Sequence, residues 1–148
     1  MGDVIVVNPS IIRPTEIDIR EESLRRVFEY YSVGRQEELG PPAVRRHYDE
    51  YYTLDGHHRL AVADMLGLSI PVYLANDFGD FMRHQDFSMM EQRFLDIMNE
   101  KIELRFDYCI YLAQGMNKEG VSSFYHLRQR YGFLNSASTL EEYLKKAA

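Results

Sequence analysis

Asp55-Gly56-His57-His58-Arg59 is the stretch of this chain best suited to chemistry. It sets a carboxylate, a glycine, two imidazoles and a guanidinium at the start of an amphipathic helix, an arrangement that attracts anions. Gly56 lets the backbone turn tightly, and the first N–H groups of the helix have no partner inside it. The helix dipole adds partial positive charge at the same end, and Arg59, His57 and His58 are further sources of it. A phosphate group matches that site.

The elements that position this turn are legible from periodicity. Residues 4 to 7 form a short apolar run that reads as a buried strand, with Pro9 and Pro14 punctuating the loop after it. Asp18 and Glu21 make a capping pair ahead of Leu24, Val27 and Phe28, which predicts a helix over residues 20 to 31. A polar connection spans residues 34 to 42. Residues 43 to 47 and 51 to 54 then read as two strands joined by a turn at Tyr48-Asp49-Glu50. The second helix carries Leu60, Ala63, Met65 and Leu66 and stops at Gly67, and residues 70 to 74 form the last strand.

The second half is helical. Ser88 and Glu91 form a capping box before a pattern of Phe94, Leu95, Ile97, Met98, Ile102, Phe106, Cys109 and Ile110, which predicts one long helix, or two with a kink, ending near Gly115. Further helices are predicted over residues 118 to 131 and after Ser138, where Glu141 completes another box. The pattern breaks at Asn76, Asp77, Gly79 and Asp80, so the chain divides into a first domain, residues 1–78, and a helical extension, residues 79–148.

Composition bounds the class. The chain has 148 residues, 45% hydrophobic and 27% charged, as in ordinary globular proteins. Cys109 is the single cysteine, which excludes an intrachain disulfide, and no leader-like segment opens the chain. A cytoplasmic location is expected. No run reaches the roughly 20 apolar residues of a membrane span, so no membrane partner is expected. The net charge of -6 opposes duplex DNA, and specific DNA binding is not expected.

In its order of elements the stretch from Val4 to Leu74 resembles the ParB/sulfiredoxin-like domain family. Asp55 to Arg59, the following Leu60-Ala61, Leu66-Gly67 at the helix end, Ile70-Pro71-Val72 and the upstream Arg13-Pro14-Thr15-Glu16 carry the resemblance, over about half of the chain. It implies an α+β fold, a ParB/sulfiredoxin-like domain with a C-terminal helical extension, in which this motif binds nucleotide phosphates. Sulfiredoxins have a catalytic cysteine before the His-Arg pair, and His57 stands there, so thiol chemistry is excluded. Chromosome-partitioning members have an arginine-rich motif and basic DNA-binding helices, which are not found here. The motif is most similar to that of the ADP-dependent free-serine kinase branch, in which a glutamate after a proline is the catalytic base. Glu16 occupies that place. Those kinases are longer, so substrate identity does not carry over.

Phosphoryl transfer needs positive charge and backbone donors around the moving phosphate, a metal between phosphate oxygens, and a carboxylate by the attacking hydroxyl. The resemblance thus implies Gly56, His57, His58 and Arg59 as nucleotide ligands, Asp55 as a catalytic residue holding magnesium, and Glu16 as base or orienting group. ADP, ATP or another nucleotide with magnesium is the implied cofactor, and a small hydroxyl-bearing molecule the substrate. Two readings stay open: a phosphotransferase or nucleotide hydrolase, and a non-catalytic nucleotide-sensing or DNA-associated interaction module.

Plainer roles compete for each residue. Asp55 also reads as a helix N-cap, and His57, His58 and His47 as a zinc site, although no ligand spacing completes it. Glu16 also reads as a solvated loop residue. Alternation puts Arg45 and Arg46 on opposite faces of a solvated hairpin, from which either still reaches a nucleotide phosphate. Cys109 reads as a buried, inert thiol and the tyrosines as packing residues. Phe94, Ile97, Phe106, Ile110 and Tyr111 offer more apolar surface than one helix hides, which points to self-association through the helical half.

Overall fold

A computed structural model describes residues 3–16, 20–84 and 92–131, without the side chains at 21, 92–100, 102, 128, 130 and 131. The pair formed with Asp18, the Ser88 box, the helix after Ser138 and the side chains of Phe94, Leu95, Ile97, Met98 and Ile102 lie outside the described residues.

The strands are β1 (Asp3–Val7), β2 (Ile12–Arg13), β3 (Ala43–His47), β4 (Glu50–Asp55) and β5 (Ile70–Ala75). The helices are α1 (Glu21–Ser32), α2 (His57–Leu66), α3 (Phe78–His84), α4 (Gln92–Lys118) and α5 (Phe124–Tyr131). The strands form one sheet in the order β1-β5-β3-β4-β2. β3 and β4 make the expected antiparallel hairpin, turning through Tyr48, the one described non-glycine residue at positive φ. β5 runs parallel to β3, and β2 parallel to β4. The architecture is α+β.

Side-chain alternation along the strands feeds two cores. Val44, Val72, Ile70 and Leu74 pack with Leu24 and Phe28 of α1, Leu60 and Val62 of α2, and Phe124 and Leu127 of α5. Ala43, Tyr52, Leu54 and Ala75 pack with Phe81 of α3 and with Phe106, Cys109 and Ala113 of α4. Each core therefore draws on residues from both sides of the sequence break at residue 78. Fully burying a side chain such as Phe124 contributes about 1.5 to 3 kcal/mol, so α5 helps hold α2 in place.

Several expectations are corrected. β1 is an edge strand paired only with β5, and Val4 and Val6 are exposed rather than buried. Among the described residues, the alternate side chains of this apolar run stay uncovered. α1 starts after Arg20, whose backbone is extended and whose side chain makes no capping bond. The break at residues 76 to 80 is itself a helix start: Asp77 Oδ1 accepts the Asp80 N–H, and Asp80 Oδ2 accepts the Asn76 N–H, opening α3. α4 continues through Gly115 to Lys118, and α5 begins only at Phe124. Of the residues assigned to a self-association surface, Phe106 is buried and Ile110 half-buried within the chain, while Tyr111 is exposed. Among the described residues no helix is long and apolar enough to cross a membrane.

Candidate functional site

The turn between β4 and α2 is built by Gly56. It sits at φ 95°, in the left-handed region, and is itself the N-cap of α2. A Cβ there would lie 2.7 Å from Pro42 Cβ and 2.9 Å from Arg59 Nη2, so only glycine allows the approach. Asp55 ends β4 one residue earlier and is not the helix cap, which removes that competing role for its carboxylate. Asp55 Oδ2 lies 3.5 Å from Arg59 Nη2, one turn along.

Arg59 is placed differently from the expectation of an open phosphate ligand. Its Nη1 donates to the carbonyls of Leu39 at 2.6 Å and Gly40 at 2.9 Å, fastening the loop that precedes β3. The side chain is 18% exposed. Arg59 braces the turn from behind.

His57 points inward and is 4% exposed. Its Nε2 accepts the Thr15 backbone N–H at 3.0 Å, while the Thr15 hydroxyl donates to the Thr53 carbonyl at 2.8 Å. With Nε2 an acceptor, the ring proton resides on Nδ1, which lies 3.8 Å from Glu16 Oε2. Burial, reinforced by the positive charge of Arg105, lowers the His57 pKa to about 3, against a smaller opposing effect of Asp55. His57 is therefore neutral at pH 7 and supplies no positive charge, contrary to the sequence expectation. His58 Nε2 accepts the Arg20 backbone N–H at 3.1 Å, which likewise requires that nitrogen to be unprotonated. The two histidines pin Thr15 and Arg20 onto the start of α2.

That pinning carries Glu16 to the turn. Glu16 Oε1 accepts from Arg105 Nη2 at 2.7 Å, and Arg105 Nη1 donates to the Leu54 carbonyl at 3.2 Å. Arg105 belongs to α4 and was not singled out by sequence. Nothing in its local pattern marks it, because its partner is 89 residues away. α4 is held in register by Arg45, whose Nη1 donates to the Phe106 carbonyl at 2.6 Å and whose guanidinium lies 4.4 Å from the Phe106 ring centroid. Arg45 is thus half-buried under α4, not on a solvated hairpin. Cys109 is fully buried beside it, and desolvation raises its thiol pKa, so it is not reactive.

The structure thus brings Glu16, Asp55, Gly56, His57 and His58 together at one end of α2, with Arg59 behind the turn and Arg105 joining from α4. Among the described residues no group of three or more His, Cys, Asp or Glu side chains is arranged to hold a metal ion, which excludes the zinc reading with His47 there. A magnesium ion needs only one or two carboxylates when phosphates complete its shell, and the partly exposed carboxylate of Asp55 suits that role. No protein-family model matches the chain, and no curated protein matches its sequence.

Proposed function

We propose that this chain is a nucleotide-binding protein of the ParB/sulfiredoxin-like kind, acting as a small nucleotide-dependent phosphotransferase or nucleotide hydrolase. The observation that carries this reading is the arrival of Glu16 and Arg105, from distant parts of the sequence, at the glycine-capped start of α2. A half-exposed carboxylate paired with a guanidinium and facing a neutral imidazole 3.8 Å away at this turn is placed as a general base would need to be.

In this reading the terminal phosphates lie against the first N–H groups of α2, where backbone donors and the helix dipole favour them. Arg105 sets one oxygen of Glu16 and, being partly exposed, would also donate to a phosphate oxygen, while the other Glu16 oxygen faces His57 Nδ1. Glu16 would accept the proton of the attacking hydroxyl, from a small acceptor or from water, as that oxygen bonds to the terminal phosphorus and the bond from that phosphorus to the bridging oxygen breaks, its electron pair leaving with the shortened nucleotide. Asp55 would hold magnesium, which supplies charge neutralisation on the phosphate oxygens. His57, uncharged, forms no buried ion pair with Glu16 and serves as a spacer beside it.

The test is phosphate transfer or release from ADP and ATP with magnesium, across small hydroxyl acceptors that include free serine. Glu16→Gln is expected to retain nucleotide affinity while losing turnover by about 10² to 10⁴-fold, because the amide keeps the shape but takes no proton. Nucleotide binding without transfer or hydrolysis in the wild type would replace the enzyme reading by the binding module.

A further inference from the structure

Beside the turn lies a cavity of about 520 Å³, within the size range of small-molecule sites. Leu39 and Pro42 contribute one side of it, and Ile70 and Pro71 at the start of β5 another, with Glu37 and Ser69 also in the lining. The loop wall is rigidly held. The carbonyls of Leu39 and Gly40 accept from Arg59, that of Pro41 from His84 Nε2 at 2.8 Å, and that of Pro42 from the Tyr73 N–H at 2.7 Å. Four consecutive carbonyls are thereby satisfied without a ligand, so the cavity is preformed and its ordering cost is already met.

Arg59 joins this cavity to the anion site. Its guanidinium reaches back over Gly56, within 3 Å of where a Cβ would stand, and the same side chain lines the cavity. Its charge is committed to Asp55 and to the loop carbonyls, so the cavity does not itself call for a phosphate. Proline rings and branched apolar chains suit a flat, uncharged group, and a guanidinium presents a face on which such a group stacks.

We propose that this cavity receives the base of the nucleotide whose phosphates sit at the start of α2; the inference rests on the nucleotide reading above. One molecule would then span the Arg59 side chain, with its anionic end at the backbone N–H groups and its heterocycle against Pro42 and Pro71.

The experiment is calorimetric titration of ADP and of inorganic pyrophosphate, each with magnesium, into the wild type and into Ser69→Trp, in which an exposed lining residue gains bulk that fills the cavity. The wild type should bind ADP at least about tenfold more tightly than pyrophosphate, and Ser69→Trp should lose about that factor for ADP alone. Photolabelling of the wild type with 2-azido-ADP should mark peptides that contain residues 39 to 42 or 68 to 71, which keeps the test decisive if the variant does not fold. Unchanged ADP affinity in folded Ser69→Trp, or labelling elsewhere, overturns the cavity assignment and leaves the phosphate site standing. Binding of neither ligand by the wild type overturns both.

Discussion

Arg59 and Arg105 both serve the turn at the start of α2, and they do opposite work. Arg59 lies inside the motif and is largely buried, with its donors spent on Leu39, Gly40 and Asp55. Arg105 comes from α4, is 41% exposed, and meets Glu16 on the open side. The difference teaches that a local motif sets the scaffold of the proposed anion site, while its exposed charge arrives through tertiary packing. Each substitution below separates bracing from binding.

Gly56→Val should have the largest effect on stability. It combines a positive φ with a contact to Pro42 that has nowhere to move, and the sum of strain and overpacking is about 3 to 5 kcal/mol. Chemical denaturation measures it. A variant as stable as the wild type would mean that the turn is ordinary and that Arg59 braces nothing.

Arg59→Ala should follow. Two loop carbonyls lose a charged donor in a partly buried setting, which costs about 2 to 3 kcal/mol. A loss of nucleotide affinity with no loss of stability would reverse the roles given to the two arginines.

His57 gives a pH signature. Its folded pKa of about 3 lies below the unfolded value of 6.5, so the unfolded chain binds a proton that the folded chain refuses. The stability is fully present above pH 7 and is lost as pH falls through 6.5 toward 3. Between pH 7.5 and pH 5 this single group removes about 2 kcal/mol. The gap in stability between wild type and His57→Gln, which has no titrating ring, should shift by that amount over the same interval. A parallel pair of stability curves would place His57 in a solvated environment.

Much of the fold was readable because it is local. The β3–β4 hairpin, the glycine start of α2 and its stop at Gly67, also left-handed, follow from residues within a few positions of one another. α3 is not legible from periodicity because Asp77 and Asp80 interrupt the apolar pattern, although their spacing is a helix-opening signal. The edge position of β1 depends on which strands lie beside it, and no periodicity within five residues reports that. At the site, Asp55, Gly56, His57, His58, Arg59 and Glu16 were named from sequence, but the neutrality of His57 and the diversion of Arg59 come from burial. Arg105 and Arg45 were illegible for the same reason: their partners, Glu16 and the Phe106 carbonyl, lie far off in sequence.

Arg105→Ala should have the smallest effect on stability, below about 1 kcal/mol, because its ion pair is partly exposed and screened. Its effect on ligand binding is therefore the most direct test of the proposed site. Calorimetric titration of magnesium ADP into wild type and Arg105→Ala should show micromolar to millimolar binding to the first. In the variant, affinity should weaken by about 1.5 to 3 kcal/mol, the worth of a charged hydrogen bond, with the melting temperature almost unmoved. Equal affinity in the two proteins, or no binding to the wild type, would contradict a nucleotide site at the start of α2.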